Sequence, residues 1–162
     1  MNLQPLRNLI AFYKDLPNVV FRMADEAVMS LSDWIIEQNI NQLSRGTDAN
    51  AKPLKYARPR STPLNASGAY TNPYSKYKSK KGGQTAVVDL KQTGEFYGSL
   101  ILDRERAGVY KIISLSNADL LDVLNKMYTP DITGLNQSNT SVLVSKLGEE
   151  INRRINVKIN SF

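Results

Sequence analysis

Apolar positions along the chain follow helical spacing near both ends and a tighter, strand-like spacing in between. Leu3, Leu6, Leu9, Ile10, Phe12 and Tyr13 predict a short amphipathic helix over 3–14 that stops before Pro17. A longer helix is expected from near Asp15 or Leu16, with Pro17 at a tolerated first-turn position. Val20, Met23, Ala27, Leu31, Trp34 and Ile35 carry its three-four spacing, with Ile40 and Leu43 at the end of the series. Arg45-Gly46 supplies a cation and a glycine as the stop. At ~1.5 Å per residue such a helix is about 40 Å long. Its apolar face fits a core helix with one wet side, or a helix that also meets a neighbouring subunit.

Further along, Ser99 to Glu105 and Val109 to Leu115 read as two strands, and Arg104-Glu105-Arg106-Ala107-Gly108 as their hairpin turn. Ile101, Leu102, Val109, Ile112 and Ile113 alternate loosely, so cover on both faces is expected. Ser116-Asn117 is the expected cap of a helix carrying Leu120, Leu121, Val123, Leu124 and Met127, ended by Tyr128-Thr129-Pro130-Asp131. After a turn at Gly134-Leu135-Asn136, with Asn136 or Ser138 as the cap, a last helix aligns Leu143, Val144, Leu147, Ile151 and Ile155. Its other face pairs Glu149 with Arg153 and Glu150 with Arg154 at i,i+4, charges expected to be solvated.

Between these halves lies Val88 to Leu100, the stretch around which the chain is organised. Thr93 is placed as a helix N-cap and Glu95 stands in the first turn against the helix dipole. Gly94 permits a tight turn, and Phe96, Tyr97 and Leu100 offer large apolar surface.

Composition narrows the chemistry. The 162 residues suit one domain (1–162), long enough for a hydrophobic core, and the apolar fraction is a slightly low 41%. With no cysteine, neither a disulfide framework nor a thiolate metal site can form. With no histidine, the usual general base near neutral pH and the commonest metal ligand are missing. No apolar run approaches the ~20 residues of a membrane span, and no secretory signal opens the chain. A soluble protein, intracellular when made, is the expectation.

The net charge of +6 is unevenly spread. Residues 45–81 hold nine cations (Arg45, Lys52, Lys55, Arg58, Arg60, Lys76, Lys78, Lys80 and Lys81) against Asp48 alone, a balance of +8. The remainder of the chain therefore carries −2. Pro53, Pro59, Pro63, Pro73 and Gly82-Gly83 interrupt 46–85, no period persists, and a long basic arm is expected there. Tyr56, Tyr70, Tyr74 and Tyr77 are interleaved with its cations. Such a segment can contact phosphates and stack on bases. It can equally lie across an acidic protein neighbour, or stay a solvated arm until assembly.

Motifs for catalysis are absent: no phosphate-binding loop, dinucleotide fingerprint, nucleophile elbow or metal-ligand cluster occurs. Gly82-Gly83 after Lys80-Lys81 reads as a flexible turn. Asp89, Glu95, Asp103 and Glu105 lie near each other in sequence, yet surface carboxylates are the default at a hairpin end. No catalytic, cofactor or metal site is expected.

One resemblance bears on function. Asp89-Leu90-x-x-Thr93-Gly94-x-Phe96-Tyr97-x-Ser99, followed by two strands and a terminal helix, resembles the tail-completion (neck) proteins of tailed bacteriophages, nearest to those of Bacteroides-infecting, crAss-like phages. Upstream, Gln42-Leu43-x-x-Gly46-x-Asp48-x-Asn50 is similar to the segment that ends that family's long first helix. The likeness covers about 17–156 and rests on the order of its pieces.

That resemblance implies a structural virion protein made in the bacterial cytoplasm. It implies a ring of six or twelve copies around the genome channel, in contact with other neck, portal-side or tail proteins, with channel DNA as a further contact and no membrane or cofactor. The expected fold is α+β: a long N-terminal helix and a C-terminal helix on a small antiparallel sheet, with a basic arm over 46–85. Candidate assembly or nucleic-acid contacts are Lys52, Lys55, Tyr56, Arg58, Arg60, Tyr70, Tyr74, Lys76, Tyr77, Lys78, Lys80 and Lys81. The rival function is sequence-independent nucleic-acid binding through 45–81.

Overall fold

A computed structural model describes residues 3–54, 72–91, 94–115, 118–128 and 131–162, with backbone alone at 72–74 and 118–119. The fold is α+β. In chain order it comprises α1 (Gln4–Lys14), α2 (Leu16–Ser30), α3 (Ser32–Ser44), α4 (Asn72–Lys80), α5 (Glu95–Gly98), β1 (Leu100–Arg106), β2 (Val109–Ser114), α6 (Ala118–Met127) and α7 (Gln137–Ile159). The chain forms two compact units, one of 1–32 with 141–162 and one of 33–140. The expected caps Thr93 and Ser116-Asn117, and the Thr129-Pro130 stop, lie outside the described residues.

The single long helix expected from 15 to 45 is instead two, α2 and α3, interrupted at Leu31. The cause is local. Ser30 Oγ bonds the Ala27 carbonyl at 2.8 Å, and the Leu31 N–H is shared between Ala27 and Val28 carbonyls. A serine bonding back to the preceding turn competes with the helix ladder and bends it. The separation of α1 from α2 follows from Pro17, which has no N–H to give to the ladder.

In the terminal-helix unit, Phe12 is buried with its ring 5.6 Å from that of Phe162, and Ala27 is fully buried. Lys158 Nζ stands 5.2 Å from the Phe162 ring centroid, a cation–π contact. Of the charges on α7, the expected Glu150–Arg154 pair forms, while Arg153 turns to Glu150 at i,i+3. Glu150 takes a bidentate bond from Arg153 (2.7 and 2.8 Å) and a third from Arg154 at 2.8 Å. Arg154 also reaches Glu26 of α2 at 2.6 Å. A fork of donors fits a carboxylate better than a single i,i+4 contact does.

The central unit is built on the β1–β2 hairpin, antiparallel with Leu100 opposite Ser114 and Leu102 opposite Ile112. Gly108, at φ +76°, makes its tight turn, and a bulge falls between Arg104 and Arg106. Helix α6 packs along β2. The core collects Ile35 and Leu43 of α3 with Leu54, Val88, Phe96, Tyr97, Leu100, Ile112 and Ile132.

The expected stop at Gly46 is a Schellman motif: Gly46 N–H bonds the Leu43 carbonyl and Thr47 N–H the Gln42 carbonyl. Gly46 has φ +75°, and a Cβ there would lie 2.7 Å from Val87 Cβ, so conformation and close approach both require glycine. Asn136 is the α7 cap, its Oδ1 accepting the Asn139 N–H at 2.9 Å.

Gly94 adopts φ +95° at the N-cap of α5, as the tight turn requires. Among the described residues a Cβ there meets nothing nearer than Lys91 Cε at 3.9 Å, so the cost argued for replacing it is that of the backbone. Gly94→Val is expected to lower unfolding free energy by about 1–3 kcal/mol, and Gly94→Asn by less, because Asn tolerates this region. Phe96→Ala, at a buried ring, should cost about 3–5 kcal/mol. Chemical denaturation checks all three; an unaltered midpoint for Gly94→Val contradicts the strain argument.

The Glu150 fork yields a second prediction. Hydrogen bonds from Arg153, and next from Arg154, hold the Glu150 carboxyl down to about 2 from its ordinary 4.5. A depressed carboxyl stabilises the fold above its unfolded value and stops doing so as pH falls through the folded one. Wild type should therefore lose its thermal-stability advantage over Glu150→Gln between about pH 4.5 and 2. A constant difference over that range would contradict the fork.

Candidate functional site

The candidate contacts meet most clearly on α4 and the turn after it. Part of the expected irregular arm is ordered: 72–80 is helical, and 46–54 is a compact loop in the central unit. That loop turns because Asp48 is buried with its Oδ1 accepting the N–H groups of Asn50 and Lys52, both at 2.9 Å. Ala49 N–H and Asn50 Nδ2 tie it to Asp131. Local hydrogen bonding replaces the periodicity that a sequence pattern can register.

Helix α4 ends as α3 does. Gly82 N–H bonds the Ser79 carbonyl and Gly83 N–H the Lys78 carbonyl, with Gly82 at φ +74°. A Cβ on Gly83 would lie 2.7 Å from Lys78 Cγ. The doublet expected as a flexible turn is a helix stop, one glycine serving the backbone and the other giving room to a lysine stem.

Lys78 departs furthest from the expected role. Its side chain is 5% exposed and its ammonium pairs with Asp89, itself 4% exposed. Asp89 Oδ1 also accepts the Lys91 N–H at 3.2 Å, and the Tyr97 hydroxyl donates to the Asp89 carbonyl. Leu90 between them sits at φ +53°. Lys78 is thus a joint between α4 and the organising stretch, closed to an outside partner.

Lys76, Tyr77, Lys80 and Lys81 are exposed, Tyr77 to 48%. Lys76 and Lys80 share one helix face at i,i+4 with Tyr77 beside them. The buried pair fixes α4 with Lys78 inward, and so presents these three cations and one ring outward. Such a surface suits phosphate or carboxylate contacts with an aromatic anchor. Lys52 is exposed on the separate 46–54 loop. Lys55, Tyr56, Arg58, Arg60 and Tyr70, and the side chain of Tyr74, lie outside the described residues.

Of the carboxylates weighed for acid–base chemistry, Asp89 is held by Lys78. Asp103 and Glu105 are exposed near the hairpin tip, where Glu105 pairs with Lys111 at 2.8 Å. Among the described residues no group of three or more histidine, cysteine or acidic side chains converges on one point, and no helix is long and apolar enough to cross a membrane.

A second polar cluster escapes the sequence reading. Gln42 Nε2 and Asn39 Nδ2 both donate to the Gly134 carbonyl at 2.9 Å. Gln42 Oε1 accepts from Asn136 N–H and Asn139 Nδ2 at 2.9 and 2.7 Å. These bonds fasten α3 to the start of α7. Amides on a helix face otherwise apolar (Ile35, Leu43) are the signal that could have marked them.

The chain matches no protein-family model, no curated protein and no solved structure.

The geometry separates two kinds of lysine. Lys78→Ser is expected to cost about 3–5 kcal/mol by leaving Asp89 buried without its cation. Replacing Lys76, Lys80 and Lys81 together with Ser should move stability by less than about 1 kcal/mol, since solvated charges contribute little. Denaturant unfolding distinguishes them, and equal effects would contradict the inward placement of Lys78.

Proposed function

We propose that this protein is a structural component of the neck of a tailed-phage particle. In this reading it is a tail-completion or head–tail joining protein, built as a ring of six or twelve copies around the genome channel. It is made in the bacterial cytoplasm and carried in the virion, and it performs no catalysis. The observation that carries the reading is the ordered series from Gln42 through Asn50 to Asp89, Gly94, Phe96 and Ser99.

Its support is physical as well as sequential. Gln42 anchors the start of α7, and Gly46 stops α3 against Val87. Asp48 organises the following loop, and Ser99 Oγ meets Ser114 Oγ across the hairpin at 2.7 Å. A resemblance at residues that form the joints of the fold carries more weight than one at exposed positions. Lys76, Lys80 and Lys81 would then face an acidic neighbour in the neck or the channel DNA.

The exposed Lys76–Tyr77–Lys80 face also supports the rival, sequence-independent nucleic-acid binding. The two diverge under substitution of Lys76, Lys80 and Lys81 by Ser with Lys78 retained. A neck protein so changed should yield particles with heads and tails unjoined, and antibody against the chain should label the head–tail junction in wild-type particles. A free nucleic-acid binder should instead leave joining intact, while the salt slope of DNA affinity falls by about one for each phosphate that is no longer neutralised. Labelling away from the junction would refute the neck assignment.

A further inference from the structure

Residues 72–91 carry five lysines and one acid. The acid is Asp89, and its pair with Lys78 withdraws both charges from water. The charge left at the surface of this stretch is of one sign. Lys76, Lys80, Lys81 and Lys91 are exposed, and no carboxylate of the stretch is.

Position sharpens the pattern. Lys76 and Lys80 each stand about 160° round the helix from Lys78, one turn apart along the axis. Burial of Lys78 therefore directs both of them straight outward. Lys81 follows in the exposed turn that Gly82 and Gly83 close, and Ser79 adds an exposed hydroxyl. The buried pair thus turns α4 and also removes from the surface the one acid that would repel an anion.

The chemistry of this face favours a polyphosphate over an acidic protein. Lysine is depleted at protein–protein contacts, whose centres are apolar and aromatic. Among its described side chains α4 exposes one large apolar residue, Tyr77. Phosphate contacts need only what is present, ammonium groups on long stems and a hydroxyl donor. Single strands are held by bases stacked on successive aromatics. One half-exposed ring makes no such series, and that favours a duplex.

We propose that α4 binds the phosphate backbone of double-stranded DNA through Lys76, Lys80 and Lys81, with Ser79 as a further donor and no reading of sequence. This deepens the proposed function and rests on it for the choice of DNA, which the neck would enclose.

The test uses the purified full chain and short duplexes of two unrelated sequences, with affinity followed by fluorescence anisotropy between about 50 and 200 mM salt. Both duplexes should bind equally well. Replacing Lys76, Lys80 and Lys81 together with Ser should make the salt slope shallower by about 2.7, or 0.9 for each phosphate no longer neutralised. Across that range of salt, wild type should lose about 40-fold more affinity than the variant. Lys76→Arg, Lys80→Arg and Lys81→Arg in one chain keep the charges and should keep the slope, which separates lost charge from lost fold. Poly-glutamate is the probe for an acidic protein partner, and a single strand of the same sequence tests the preference for a duplex. Four outcomes would each overturn the proposal: no binding of wild type to duplex at the lowest salt, an unchanged slope in the Ser variant, tighter binding of poly-glutamate, or tighter binding of the single strand. All are read on the purified chain. The proposal can therefore fail while the neck assignment, judged on the joining of heads to tails, stands.

Discussion

The central unit depends on a buried ion pair. Lys78 and Asp89 are withdrawn from water together, and removing either charge leaves the other stranded in the interior. Around this pair the chain is closely constrained. Gly83 yields space to the lysine stem, Leu90 takes a left-handed conformation beside the aspartate, and the Tyr97 hydroxyl secures the aspartate carbonyl. Tyr97 and Phe96 then enter the core ahead of β1. The basic helix is therefore coupled to the hydrophobic core through a polar joint, and its outward cations have a defined direction. An unanchored arm would carry the same charges with no common face.

Much of this fold is legible from residue order. The stop at Gly46, the hairpin turn at Gly108, the cap at Asn136 and the need for Gly94 all follow from local backbone chemistry that a sequence displays directly. The break at Leu31 is less legible, because a serine inside an apolar period looks tolerable until its hydroxyl is seen bonding the previous turn. Helix α4 is hidden for a different reason. Asn72 to Lys80 has no apolar period, and its Lys78 is tied to a partner eleven positions later. Composition groups Lys78 with the solvated cations; burial places it apart from them. The Arg154 link to Glu26 is likewise invisible, since the sequence suggests only the neighbours on α7.

The candidate surface is legible in type and only partly in membership. Charge clustering and interleaved tyrosines point to 45–81, and the exposed Lys76, Tyr77, Lys80 and Lys81 give that cluster a face. The terminal helices carry a second kind of information. Their exposed Leu3, Leu6, Ile10 and Val144 are residues that helical spacing would assign to a core. Apolar periodicity says that a face is covered, but is silent on whether the cover comes from the same chain.

Electron cryomicroscopy of purified particles, resolved at the junction of head and tail, bears on the neck assignment more directly than any solution measurement. The expected density is this α+β fold repeated six or twelve times around the channel axis, with Lys76, Lys80 and Lys81 of each copy against a neighbouring subunit or the enclosed DNA. A junction built without this fold, or a copy of it located elsewhere in the particle, would contradict the assignment.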